Sequence, residues 1–434
     1  MLRRFKLERR LLSSALLLVA ALTVLAAPAI ALADAVTQWN ANASNALFVV
    51  AGQGPQQSVP HLAMVHGAIY DAVNAIDGGH EGYLLTSRVA QPFDSEDAAV
   101  AAAAHRVLLN IVPAQQAVLD AQYAASLAAI PDGSAKTRGI AVGEAAAAAM
   151  IAARTDDGRF GAYRFPVGSG PGEWRPVLPA FVNDPNAWLK DVRPFLIKSG
   201  TQFQSDGPLP LPSRKYVREF DEVKSLGSAT STTRTADQTL AARYWAENPP
   251  QTWSRIFRTL SAQQGLSLVD NARLYAMLYM TAADSLITVW NDKAHYLFWR
   301  PITAIREADT DGNPDTVADP AWLPLIPTPP YTEHSSGHNG LSGAIVATLQ
   351  DFFGTDRIGW TDTNNGGFTR SYTRISDAIE EIIEVRIWSG IHFRSADEQA
   401  AKIGKQVARY REQHFFGRVH GHDDEEGGGG LLGG

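Results

Sequence analysis

An apolar stretch at residues 268–299 does most to limit the fold, reading as one long helix broken at Pro301. Strand-like alternation is scarce along the rest of the chain, so the expected class is all-α, built from packed helix bundles. Residues 58–75 place Leu62, Val65, Ile69 and Val73 at helical spacing. Residues 96–109 and 117–129 form two more helices joined through Pro113, and 137–154 a fourth, with alanines at 145–149. Ala-rich faces allow close helix approach, as in a bundle. Residues 159–214 change character: prolines and glycines make an irregular connector, with Trp174 and Trp188 expected to pin it to the surface. Helices resume at 215–226, 235–247 and 250–264. The expected organisation is therefore a leader at 1–33, an N-terminal helical half at 34–158, the connector, a C-terminal helical bundle at 215–418 and a disordered tail at 419–434.

The leader combines Arg3, Arg4, Lys6, Arg9 and Arg10 with an apolar run to Ile30 and a small-x-small site at Ala31-Leu32-Ala33. That is the pattern of a cleaved signal peptide, with Asp34 as the mature N-terminus and a secreted or periplasmic destination. The alternative is a retained membrane anchor, against which Pro28 breaks the apolar run. The leader holds five of the 38 Lys/Arg and one of the 45 Asp/Glu, so cleavage takes the net charge from −7 to −11. So acidic a protein is a poor partner for nucleic acid or an anionic membrane. There is no cysteine, which excludes disulfides, thiol catalysis, Fe–S clusters and Cys-ligated zinc.

Within this acidic chain, three islands between 293 and 392 offer groups suited to a tetrahedral oxyanion. The first is Lys293 and Arg300-Pro301, two helical turns apart if on one helix, hence on one face and roughly 10.5 Å apart along the axis. Their stems can converge on one anion, or they can form a solvated basic face; the apolar neighbours Trp290, Tyr296, Leu297, Phe298 and Trp299 favour the former. The second is Ser335-Ser336-Gly337-His338, opening a helix that runs to Phe353. Free N–H groups there can cradle an anion, or a serine can simply cap the helix. The third is Arg386 through Gly390 to His392, at the end of a helix starting near Ser371, with Gly390 as its C′ residue and Ser395 opening a capping box for the next helix. Arg386 can instead pair with Glu380, Glu381 or Glu384.

The motifs K-x6-R-P, S-G-H and R-x5-H, in this order, resemble the superfamily that joins vanadium-dependent haloperoxidases to acid phosphatases related to type 2 phosphatidic-acid phosphatases. Residues 65–77, 234–245 and 300–314 also resemble secreted bacterial members. The resemblance implies that Lys293, Arg300, Ser336, Gly337 and Arg386 hydrogen-bond vanadate, a site that phosphate also fits. It implies His392 as the metal ligand, His338 as the acid–base group, and Trp290 and Tyr331 on the halide side of the pocket. The implied activity is oxidation of a halide, or of a small organic substrate, by hydrogen peroxide. The alternatives are an acid phosphatase with a phospho-His392 intermediate and a non-catalytic oxyanion binder.

Three positions depart from the family pattern: Ser335 replaces a proline, Val385 a serine, and the acid after the third-island His falls at the fifth position, Asp397, with Ala396 at the fourth. Asp397 is therefore assigned to the capping box and helix dipole, and Asp237 is the candidate carboxylate for Arg386. His66 is read as a packing residue, the loop 309–315 as an Asx-rich turn rather than a calcium site, and the tail histidines as solvated.

Overall fold

A computed structural model describes residues 34–85 and 90–419. The leader, and the tail beyond Val419, lie outside these described residues. Helix α1 (Ala35–Ser44) starts at Asp34, whose carboxylate accepts the Thr37 amide at 2.8 Å, and continues into a π-helical turn at Asn45–Val50. Its few apolar residues, interrupted by Asn40 and Asn42, give it no clear helical periodicity in the sequence. The next four helices are α2 (Pro55–Asp77), α3 (Glu96–Ile111), α4 (Gln116–Ala128) and α5 (Ser134–Ala153). After the connector come α6 (Arg214–Leu226), α7 (Ala236–Tyr244), α8 (Pro249–Gln264) and α9 (Leu268–Tyr296). The short α10 (Pro301–Arg306) precedes α11 (Gly337–Phe353), α12 (Ile375–Trp388) and α13 (Arg394–His414).

Helix α9 is the axis of the molecule, packed between α2, α11 and α13. Nearly all of its residues from Asn271 to Trp290 are buried, as a helix apolar around its circumference must be. Helices α11 and α13 lie backbone to backbone. A Cβ on Gly343 would stand 2.6 Å from the Ala401 carbonyl, and one on Gly404 would stand 2.4 Å from the Gly340 carbonyl. In α5, a Cβ on Gly143 would meet the Ala99 carbonyl of α3 at 2.3 Å, the close approach expected of the Ala-rich pair. Among the described residues no helix is long and apolar enough to cross a membrane.

Several expectations need correcting. The long helix stops at Tyr296, not near 299: Leu297 takes a left-handed conformation at φ 49°, and Arg300 lies outside it. Pro301 opens α10 instead of ending α9, because the first helical position needs no amide hydrogen. Residues 360–372 are a two-stranded hairpin, β1 (Trp360–Thr363) antiparallel to β2 (Thr369–Tyr372), so the helix expected from 371 begins at Ile375. Trp174 and Trp188 do not sit at the surface but are 1% and 3% exposed in the core. A Pro- and Gly-rich connector makes few backbone bonds of its own, so it is held by side chains. Buried Asp284 of α9 accepts the amides of Phe195, Leu196 and Ile197 at 2.6, 2.6 and 2.8 Å.

Two bland readings agree with the structure. His66 packs on Tyr279, ring centroids 4.9 Å apart, and bonds Asn40 at 3.0 Å. The loop after α10 is a pair of Asx turns, in which the Asp311 carboxylate accepts the Asn313 amide and the Asn313 side chain accepts the Asp315 amide.

Candidate active site

The three islands meet at the C-terminal end of α9. Lys293 is fully buried, and its Nζ donates to the carbonyls of Thr332 and Glu333 at 2.8 and 3.0 Å. It also lies 5.0 Å from the centroid of the Tyr331 ring. Arg300 comes from the turn between α9 and α10, so it does not share a helix face with Lys293. The chain reverses after Leu297 and returns the guanidinium to the same place. Its Nε donates to the Tyr331 carbonyl and its Nη1 to the Ile391 carbonyl, both at 2.8 Å. Its Nη2 is buried without a partner among the described residues.

Helix α11 supplies the second island. Ser336 is its N-cap residue but makes no side-chain cap, so the first amides of α11 are not closed off by the serine. A Cβ on Gly337 would stand 3.0 Å from the Trp290 ring, so glycine is what lets that indole cover the start of the helix. Trp290 and Tyr331 stack obliquely, centroids 5.1 Å apart. Both ring nitrogens of buried His338 lack a partner among the described residues.

The third island closes the site. Arg386 lies on the last turn of α12, and its Nε is another buried donor without a partner among the described residues. Two of the three acids offered as its alternatives are taken, Glu381 by Arg370 and Glu384 by Arg394, and the third, Glu380, is exposed. Asp237, the candidate carboxylate for Arg386, is exposed and pairs with Arg370 at 2.6 Å. Asp397 is no capping residue. Ser395 donates its hydroxyl to Glu219 at 2.8 Å, leaving α13 without a side-chain cap. The Asp397 carboxylate, fully buried, accepts the Asn339 amide at 2.8 Å behind Ser336.

His392 is 1% exposed and held from both sides. Its Nε2 faces Arg300 Nη1 at 3.1 Å, and its Nδ1 faces a Glu333 carboxylate oxygen at 3.0 Å. The same oxygen accepts the Phe393 amide at 3.0 Å. The sequence reading missed Glu333. A signal was present, since it is the only Asp, Glu, Lys or Arg between Asp319 and Asp351, and a lone charge in an apolar stretch calls for a buried partner.

Burial and positive neighbours keep both site histidines uncharged. His392 is held well below the ordinary histidine range by burial and then by Arg300, Lys293 and Arg386; His338 is lowered by burial and by Arg386. Burial also lowers Lys293 well below its usual value and brings Arg300 to about 10. Glu333 is raised by burial to about 7, against the pull of Arg300. Three cations are crowded out of water here beside the buried carboxylates of Asp292, Glu333 and Asp397, and Arg300 Nη2 and Arg386 Nε still have no acceptor among the described residues.

The cleft in front of these groups has a volume of about 570 Å³ and is lined by Trp290, Tyr331, Gly337, His338, Arg386 and His392. Its rim brings in Phe48 and Gly52–Pro55 from the far N-terminal segment and Asn248 and Pro249 from the start of α8, none of which the motifs reveal. Lys293, Arg300 and Ser336 sit behind that lining. No grouping of His, Asp and Glu able to hold a bare metal cation occurs among the described residues. The donor set fits an oxyanion, whose oxygens would meet Arg300 Nη2, Arg386 Nε and the open end of α11.

The chain is similar to several known proteins. Residues 273–421 match the family model of the VCPO second helical-bundle domain. A vanadium chloroperoxidase of Curvularia inaequalis is 28% identical over 393 residues, covering 71% of this chain and 63% of that protein. The chain thus spans less than two thirds of that relative's length. The crystal structure of a bacterial vanadium-dependent iodoperoxidase has the same fold, with a TM-score of 0.76 at 20% identity over 88% of this chain and 96% of that one. An apo-type bacterial vanadium-dependent chloroperoxidase follows at 0.67 and 16% identity, over 83% and 94% of the two chains. Residues 273–421 are thus similar to the VCPO second helical-bundle domain, and the chain as a whole is similar to a vanadium chloroperoxidase and shares the fold of two bacterial vanadium-dependent haloperoxidases.

Proposed function

We propose that this protein is a vanadium-dependent haloperoxidase, in which hydrogen peroxide, a halide ion and a proton give hypohalous acid and water. One observation carries the reading. The buried donors Arg300 Nη2 and Arg386 Nε and both nitrogens of His338 lack hydrogen-bond partners among the described residues, within a site where burial and the neighbouring cations hold His392 well below the ordinary histidine range. Buried donors left open cost about 1–3 kcal/mol each, and a vanadate or phosphate ion would satisfy them. Lys293, Arg300, Arg386, Ser336 and the Gly337 amide would hold the anion, with His392 Nε2 as the ligand to the metal. The chemistry that vanadate supplies when bound is activation of peroxide toward two-electron oxidation of the halide.

The protein's own residues do the rest. His338, uncharged and without a hydrogen-bond partner, can accept a proton from peroxide. The Trp290–Tyr331 pair gives the cleft an apolar wall, where a halide sheds part of its hydration. Halide oxidation by peroxide, measured on phosphate-free protein with and without vanadate, tests the proposal. Vanadate-dependent turnover that vanishes in His392→Ala is the expected result. Turnover indifferent to vanadate would sink it, and hydrolysis of an aryl phosphate in its place would move the site to phosphatase chemistry.

Export through the N-terminal leader belongs to the same proposal. Cleavage after Ala33 would leave Asp34 in place as the cap of α1. N-terminal sequencing of the protein recovered outside the cytoplasm should begin at Asp34.

A further inference from the structure

His392 stands between a group that can only donate and a group built to accept. The Arg300 guanidinium has no acceptor, so at 3.1 Å the nitrogen facing it, His392 Nε2, must be the one with the lone pair. A neutral imidazole then carries its proton on Nδ1, which faces the Glu333 carboxylate at 3.0 Å. Glu333 is 1% exposed, and the same oxygen is fixed by the Phe393 amide. The segment bearing it is fixed in turn, because Lys293 grips the carbonyls of Thr332 and Glu333. The acids nearer in sequence are occupied elsewhere. Asp397 accepts from Asn339, and Ala396, the fourth residue after His392, contributes its carbonyl to the Ser336 amide.

We propose that Glu333 is the positioning residue of this site: it binds the Nδ1 proton of His392 and so keeps the Nε2 lone pair directed at the anion. The role of Nε2 as metal ligand rests on the haloperoxidase reading above; the tautomer does not. A residue that orients a metal-binding histidine affects metal affinity by about 10–100-fold. It has much less effect on phosphate, which is held by the cations without a bond to nitrogen.

The test compares Glu333→Ala, Glu333→Gln and the unaltered protein by two readouts: the imidazole ¹⁵N shifts of His392, and the affinities for vanadate and for phosphate. The unaltered protein should show one tautomer, protonated at Nδ1. Glu333→Ala leaves Arg300 to hold the lone pair on Nε2 but removes the acceptor of the Nδ1 proton, so it should shift the Nδ1 resonance and bind vanadate about 10–100-fold more weakly, with phosphate affinity kept or raised. Glu333→Gln, whose amide oxygen still accepts from Nδ1–H, should return the resonance toward its original position and recover most of the loss. A proton on Nε2 in the unaltered protein overturns the proposal without any variant. So does an unshifted Nδ1 resonance in Glu333→Ala, a parallel loss of both anions, or no recovery in Glu333→Gln. Failure of the unaltered protein to bind vanadate refutes the haloperoxidase reading instead, while the imidazole ¹⁵N shifts still decide the role of Glu333.

Discussion

Helix α9 buries Asp284, Asp292 and Lys293, and the surroundings of the first and the last, nine residues apart, are built in opposite ways. Asp284 is fully buried, but three backbone amides of the connector saturate its carboxylate. Around Lys293 the charges of Arg300 and Arg386 are also buried, yet Arg300 Nη2, Arg386 Nε and both ring nitrogens of His338 have no hydrogen-bond partner among the described residues. A saturated buried charge is a knot that holds chain together. An unsaturated one is a site awaiting a ligand, retained at a cost in stability. The difference is read from hydrogen bonds and from position, since Asp284 is fully buried whereas Arg386 and His338 line the cleft.

The largest effect should come from untying the knot. Asp284→Ala leaves three buried amides without an acceptor, at about 1–3 kcal/mol each. Urea denaturation should therefore show a loss of at least about 3 kcal/mol; a loss below about 1 kcal/mol would erase the contrast. At the site the stabilising agent should be the ligand. Phosphate at 100 times its dissociation constant should raise unfolding stability by about 2.7 kcal/mol in the unaltered protein, and by much less in Arg386→Met.

A third comparison uses pH. Burial lowers His66 to about 3, while the unfolded chain takes up the proton near 6.5. Between those values the unfolded state holds more protons, so stability falls as pH drops, by about 1.4 kcal/mol per pH unit for this group. Asp71 and Asp284, raised by burial to about 6, act with the opposite sign, because there the folded state holds the extra proton. The readout is therefore the difference between His66→Gln and the unaltered protein, which should show a slope smaller by about one proton between pH 4 and 6. The smallest effect should be that of Arg386→Met on the ligand-free protein. Removing a buried cation whose Nε has no partner among the described residues should leave stability within about 1 kcal/mol of the original, or raise it. A loss as large as that of Asp284→Ala would show Arg386 to be a structural group.

Much of the fold was legible because it rests on local periodicity. The helices at 214–226 and 249–264 begin within one residue of where spacing placed them, and the long apolar helix was evident from composition. The helix at 35–44 was passed over because its apolar residues are few and interrupted by asparagines. The hairpin at 360–372 was missed because four-residue strands give almost no alternation to detect. The site was legible as motifs but not as geometry. Lys293 and Arg300 were placed on one helix face, whereas a left-handed Leu297 folds the chain back to bring them together.

The sequence by itself determined the helical class, the three islands and the chemistry of an anion site, because residue type and spacing depend only on neighbours along the chain. Only the tertiary structure decided which carboxylate serves which partner. Asp237 was drawn to Arg370, Asp397 to Asn339, and Glu333, 59 residues from His392, to the imidazole. Such pairings follow from which buried groups are left without water once the helices have packed, and a linear sequence does not specify that.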